Sequence, residues 1–198
     1  LTKQKLIDYP RMIQFSCKAL EFDALNEKTF IQKFKHILID EYQDINFSQK
    51  TMVDLLLKGG ADLWVVGDDD QAIYQWRGSR IGFILNFEKN YKNTTKVNLK
   101  INYRSTKNIV KVANNLSNHF RVRHQKSLVA LSEKNGFAKV MVNKTDKNEI
   151  NEIISLIENK IKNNIALNEI AVLSRTHQLP EGIILHLILK KIPVFVSK

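Results

Sequence analysis

The chain has 198 residues, 43% of them hydrophobic, enough to bury a core as one domain or as two small ones. No apolar run approaches the ~20 residues of a bilayer span, residues 1–16 lack the order of a signal peptide, and the lone Cys17 excludes an internal disulfide, so a cytoplasmic protein is expected. The net charge of +11 divides into +2 over residues 1–100 and +9 over 101–198, which suits either solubility or a polyanionic partner for the second half.

In chain order, HILID (36–40) is short, bounded and apolar, and predicts a buried strand. Helical spacing follows over 48–58, closed by Gly59 and Gly60. DLWVVG (62–67) and KVNL (96–99) predict further strands. A helix is expected over 105–118, with Ser105 as its cap. AKVMVN (138–143) reads as a strand, and Ile150, Ile153, Ile154, Ile157 and Ile161 define a helix over 146–163 with Asp146 and Glu149 as a capping box. EIAVLS (169–174) and PVFV (193–196) close the series as strands. This alternation predicts an α/β architecture with a mostly parallel sheet. The charge shift near 100–102 suggests a boundary there, with a weaker one at 132–136. A chain that opens on Leu1 and stops after PVFVSK is expected to be a fragment.

Three segments carry chemistry. ILIDEYQD (37–44) delivers Asp40 and Glu41 to a strand's carboxyl end, where ligands bind in open α/β sheets. Adjacent carboxylates there suit nucleotide hydrolysis, one holding Mg²⁺ and the next polarising the attacking water. A strand that ends in a polar turn would look the same. WVVGDDDQAIYQWRGS (64–79) repeats the layout, with Gly67 freeing the turn. Its three aspartates, expected beside Asp40 and Glu41, require a cation or basic partners, for which Arg77 and Arg80 are close candidates, or else some of them bind protons. Gln71 could reach a phosphate or its attacking water. Tyr74 and Trp76 are either core aromatics or platforms for unpaired bases. In NLKINYRST (98–106) a strand is expected to end at Tyr103 and Arg104 before Ser105 and Thr106 start a helix. An Arg so placed can meet a γ-phosphate, worth ~10³ or more in rate, or pair with a neighbouring carboxylate.

In this order and spacing, the segments resemble the UvrD/Rep/PcrA family of superfamily-one DNA helicases. DEYQD is similar to helicase motif II, VGDDDQAIYQWRGS to motif III and NYRST to motif IV. LIDYPRMI (6–13), IAVLSRTHQ (170–178) and KKIPVFV (190–196) extend the likeness to nearly the whole chain. The resemblance implies two RecA-like motor domains with parallel sheets and flanking helices, ATP in the cleft between them and single-stranded DNA across their tops. Residues 1–100 would be the later part of the first domain and 101–198 the start of the second. It further implies Asp40 as the Mg²⁺ ligand, Glu41 as the catalytic base and Gln71 as the γ-phosphate sensor. Arg104 would be a γ-phosphate finger, Tyr103 an adenine platform, and Tyr74, Trp76 and Arg77 DNA contacts. The implied activity is 3′ to 5′ translocation on DNA driven by ATP hydrolysis, with the rest of the helicase chain as partner.

Two departures stand out. Gln75 occupies the place where the family commonly has Gly before Trp. No glycine of the chain is followed by Lys, so the phosphate-binding pattern G-x-x-x-x-G-K-[ST] is not within it. The isolated chain is therefore expected to lack ATPase and unwinding activity. The alternatives are the motor part of a helicase–nuclease subunit and a non-catalytic nucleic-acid-binding relic.

Overall fold

The computed structural model describes residues 7–26, 28–175 and 181–196; Leu6 of LIDYPRMI and residues 176–178 of IAVLSRTHQ lie outside them. The chain packs as two compact units, Leu1–Phe137 and Ala138–Lys198. The junction at 100–102 thus lies inside the first unit, and the division falls beside the weaker point at 132–136.

The first unit opens with helix α1 (Tyr9–Leu25), whose cap Asp8 accepts from the Arg11 N–H at 2.9 Å. It packs on α2 (Phe47–Leu57), burying Leu20, Ala24, Ile31 and Leu55 in one cluster. Fully burying a Leu or Ile side chain contributes roughly 1.5–3 kcal/mol. Helix α2 begins one residue before the expected Ser48, because Asn46 and Gln49 form a reciprocal capping box: the Gln49 N–H donates to Asn46 Oδ1 at 3.0 Å, and the Asn46 N–H to Gln49 Oε1 at 2.9 Å.

Strands β1 (His36–Ile39) and β2 (Asp62–Val65) flank α2 in sequence and pair in parallel from His36↔Asp62 to Ile39↔Val65. Two short helices follow, α3 (Gly82–Leu85) and α4 (Phe87–Asn90). Phe87 of α4 meets the fully buried Tyr42 edge-on, with ring centroids 5.5 Å apart.

Strand β3 (Ile101–Thr106) runs on through the residues expected to start a helix, so Ser105 is a strand residue; α5 (Lys107–Ser117) begins after Thr106, which makes no side-chain cap bond. Asn102 fixes this extension by accepting from the N–H groups of Arg104 and Ser105 at 3.0 and 2.7 Å. β3 pairs in parallel with β4 (Val129–Ser132), with a register shift between Asn102 and Thr106. Asn114 of α5 ties down the approach to β4, exchanging two hydrogen bonds with the backbone of Leu128 at 2.8 and 3.0 Å.

In the second unit, α6 (Asp146–Lys162) packs on α7 (Glu181–Leu189) through Ile154, Ile157, Ile183 and Leu187. The cap of α6 is Thr145, whose hydroxyl accepts from the Asn148 N–H at 3.2 Å, and not the Asp146–Glu149 pair expected from the sequence. Helix α7 is apolar on nearly every side, Glu181 and His186 being its charged or titratable residues, and so shows no clear helical period.

KVNL, AKVMVN, EIAVLS and PVFV are not strands among the described residues. Val97, Val140, Val142, Leu173 and Phe195 in these runs are each at least 75% exposed. An apolar run needs a hydrogen-bonding neighbour to become a strand, and no described segment supplies one. What forms is α/β in character: helices with two small parallel sheets. No helix among the described residues is long and apolar enough to cross a membrane.

Candidate functional site

The parallel register of β1 and β2 sets their carboxyl ends side by side. Val66 N–H donates to the Ile39 carbonyl at 2.8 Å and Tyr42 N–H to the Val66 carbonyl at 2.9 Å, which continues the pairing past both strands. Asp40 and Glu41 leave β1 at this point, and Gly67 to Asp70 leave β2.

Glu41 takes the left-handed conformation, φ 50° and ψ 45°, a cost of roughly 1–2 kcal/mol for a residue with a side chain. The turn is held by the Asp44 N–H, which donates to the Glu41 carbonyl at 2.9 Å. Gln43, only 1% exposed, lies between the two strand exits. Its Nε2 donates to Glu41 Oε2 at 2.7 Å, and its Oε1 accepts from the Asp68 N–H at 2.9 Å. Sequence reasoning quoted Gln43 within DEYQD but gave it no role; its position three residues after the strand's last aspartate was the available signal.

The three aspartates find partners, but not the expected ones. Arg77 and Arg80 are turned to aromatic rings instead, Arg80 lying 5.8 Å from the Phe47 centroid. Arg123 grips Asp70 in a two-pronged pair at 2.7 and 2.8 Å, and Lys126 reaches Asp68 Oδ1 at 2.6 Å and also Asp69 Oδ1. The His124 N–H donates to Asp69 Oδ2 at 2.7 Å. Asp68 also accepts from Gln71 Nε2 at 2.8 Å and from the Asp70 N–H at 3.1 Å.

Burial works against the Asp68 charge, yet hydrogen bonds from Lys126 and Gln71, with the Lys126 charge, outweigh it and hold its pKa below the ordinary carboxylate value. Burial likewise opposes the Lys126 ammonium, but Asp68 and Asp69 raise its pKa, and the hydrogen bond to Asp70 raises that of Arg123. A cleft of about 240 Å³ opens beside this network, lined by Asp68, Gln71, Leu116, Phe120 and Lys126 among others.

Asp44 behaves in the opposite way. Desolvation and the neighbouring Glu41 charge raise its pKa, and its buried Oδ1 has no hydrogen-bond partner. Asp40 commits one oxygen to the Glu41 N–H at 2.9 Å and remains exposed. Among the described residues no group of three or more His, Cys, Asp or Glu forms a metal cage. A hydrated Mg²⁺, which binds through one or two carboxylates plus phosphate and water, fits Asp40 with its second oxygen uncommitted.

On the far side of the aspartates, the Arg77 guanidinium lies 4.9 Å from the Tyr74 ring centroid and 4.6 Å from that of Trp76. Trp76 is 75% exposed and so is not a core aromatic among the described residues. Gly78, in the left-handed region at φ 89°, ends this turn. Tyr103 and Arg104 project from β3, Tyr103 73% exposed, and neither side chain is hydrogen-bonded or ion-paired among the described residues. No hydrogen bond or ion pair joins them to Asp40, Glu41 or Gln71.

Residues 1–92 match the UvrD/REP helicase N-terminal domain, and residues 97–198 the UvrD-like helicase C-terminal domain. The chain is 36% identical over 178 residues to the ATP-dependent DNA helicase PcrA of Leuconostoc citreum, covering 89% of this chain and 24% of that protein. It is 38% identical over 135 residues to DNA helicase II of Rickettsia typhi, covering 68% of this chain and 20% of the relative. Across all 198 residues it is 29% identical to the ATP-dependent DNA helicase Rep of Buchnera aphidicola subsp. Schizaphis graminum, 30% of that protein. The chain thus spans only about a quarter of the length of these relatives. With a domain match over more than half its length and helicases among its relatives, the chain belongs to the UvrD-like helicase family.

Proposed function

We propose that the chain is a segment of an ATP-dependent DNA helicase that moves 3′ to 5′ on single-stranded DNA. In this reading, residues 1–100 are the later part of a first RecA-like motor domain and 101–198 the beginning of a second. The observation that carries it is the Glu41–Gln43–Asp68–Gln71 chain of hydrogen bonds, which links two strand exits to a segment bearing exposed aromatics.

Asp40 would hold Mg²⁺, which would supply charge neutralisation on the phosphates. Glu41, oriented by Gln43, accepts a proton from the attacking water. Gln71 keeps one N–H on Asp68 and has a second N–H and its Oε1 to offer the γ-phosphate or that water. Tyr103 is free to stack on adenine, and Arg104, with no carboxylate partner among the described residues, is free to meet the γ-phosphate. Beyond Gln71 the chain turns within a few residues into Tyr74, Trp76 and Arg77, which stack on bases and meet the strand. A change at the phosphate sensor is thereby transmitted to the DNA contacts along one short segment.

The test is Glu41→Gln in the longer helicase that this reading implies. Nucleotide binding should persist while DNA-stimulated hydrolysis is abolished; retained turnover refutes the role of Glu41.

A further inference from the structure

The Asp68 carboxylate is shared between one distant donor, Lys126, and two local ones, Gln71 and the Asp70 N–H, the last donating to Oδ1 at 3.1 Å. Lys126 Nζ takes Oδ1 at 2.6 Å and Gln71 Nε2 takes Oδ2 at 2.8 Å. The second bond sets which way the Gln71 amide faces: nitrogen toward Asp68, with one N–H committed and the rest of the amide directed elsewhere.

Lys126 is itself anchored. Its carbonyl accepts from Arg123 Nη2 at 3.0 Å, the Arg123 side chain is only 4% exposed, and two residues on Leu128 is clamped by Asn114. Without the Lys126 ammonium, three consecutive carboxylates would retain Arg123 as their only paired cation. Crowded like charges then drive protonation or rotation of one member. Asp69 keeps the His124 N–H and Asp70 keeps Arg123, so Asp68 is the member left without a direct charge partner, holding only the neutral donors Gln71 Nε2 and the Asp70 N–H.

We propose that Lys126 is a positioning residue for Gln71, acting through Asp68. The inference rests on the reading of Gln71 as the γ-phosphate-sensing group. It goes beyond that reading, because the amide is set from outside its own segment: Gln71 lies in the stretch matching the N-terminal helicase domain, and Lys126 in the stretch matching the C-terminal one. The amide is held only while the loop after α5 is docked, so the sensor reports on the assembly of both stretches.

Two measurements test it. In the 198-residue chain, Lys126→Met should shift and broaden the Gln71 side-chain amide signals in a ¹⁵N–¹H NMR spectrum, and Lys126→Arg should restore most of the native positions. Where Lys126→Met does not fold, Asp68→Asn reads the same coupling, since it keeps the shape and removes the charge that Lys126 holds. In the longer helicase, Lys126→Met should lower kcat for hydrolysis about tenfold with KM changed less than about twofold, and the double variant with Gln71→Ala should be no slower than Gln71→Ala alone. Unmoved Gln71 signals, or losses in kcat that multiply in the double variant, overturn the proposal. If the signals move but Gln71→Ala leaves hydrolysis intact, the sensing role fails and the positioning contact stands.

Discussion

The Asp68 N–H donates to Gln43 Oε1 at 2.9 Å, while Nε2 of the same amide holds Glu41. One buried glutamine therefore ties the exit of β1 to the exit of β2, and the residue between Val66 and Asp68 must leave room for it. A Cβ on Gly67 would stand 2.7 Å from Gln43 Oε1 and 2.8 Å from Ile84 Cδ1. Gly67→Ala is expected to destabilise the fold by ~1–3 kcal/mol through this overpacking, read as a lower urea midpoint. A midpoint equal to wild type contradicts the close packing of Gln43 against this turn.

Stability should fall in acid partly through Asp68. Its folded pKa lies below the unfolded carboxylate value of about 3.9, so its contribution is complete above that value and is lost as pH falls through the lower, folded one. Asp44, whose pKa is raised, acts in the reverse sense: its charge costs stability near neutral pH and protonation relieves that cost. Urea midpoints of wild type and Asp68→Asn should differ most at neutral pH and converge below about pH 4. A gap independent of pH would show that the Asp68 charge is not its source.

Trp76 presents a large exposed ring beside the Arg77 guanidinium. If a base stacks there, Trp76→Ala should weaken single-strand binding by the longer helicase by ~1–3 kcal/mol, measured by fluorescence anisotropy of a labelled oligonucleotide. The loss should be similar for different base compositions, since every base has a stacking face. An unchanged affinity removes Trp76 from the DNA interface.

The 198-residue chain alone should not hydrolyse ATP. It contains no Gly-Lys pair to build a phosphate-cradling loop, and Asp40 would have to hold Mg²⁺ without the hydroxyl that such a loop provides. Phosphate release measured with and without single-stranded DNA should stay at background. Turnover that disappears on Glu41→Gln would overturn this expectation.

Local pattern carried much of what could be read without coordinates. HILID and DLWVVG form strands because each is bounded by turn residues and finds the other as a parallel partner. The isoleucine spacing of 146–163 places Ile154 and Ile157 in a buried seam. The other apolar runs failed as strands because pairing is non-local, and composition does not say which neighbour is present. β4 escaped notice for the complementary reason: VALS is short and only weakly apolar, and it becomes a strand by pairing with β3. At the site, DEYQD, Gln71 and the aromatic turn were legible as motifs. The partners of the aspartates were not, since Arg123 is 53 residues from Asp70 in a half of the chain where basic residues abound. Sequence proximity favoured Arg77 and Arg80, which the neighbouring aromatic faces capture instead.

Among the described residues, each of the two sheets has only two strands, so each presents backbone donors and acceptors along both outer edges. Leu38 and Trp64, register partners across β1 and β2, are 76% and 63% exposed. Such edges are templates for strand addition between molecules, and what opposes it is the mutual repulsion of chains carrying +11. Salt weakens that repulsion within a Debye length of about 8 Å at 0.15 M. Colloidal behaviour thus follows from topology: the chain should remain dispersed at low ionic strength and self-associate as salt rises.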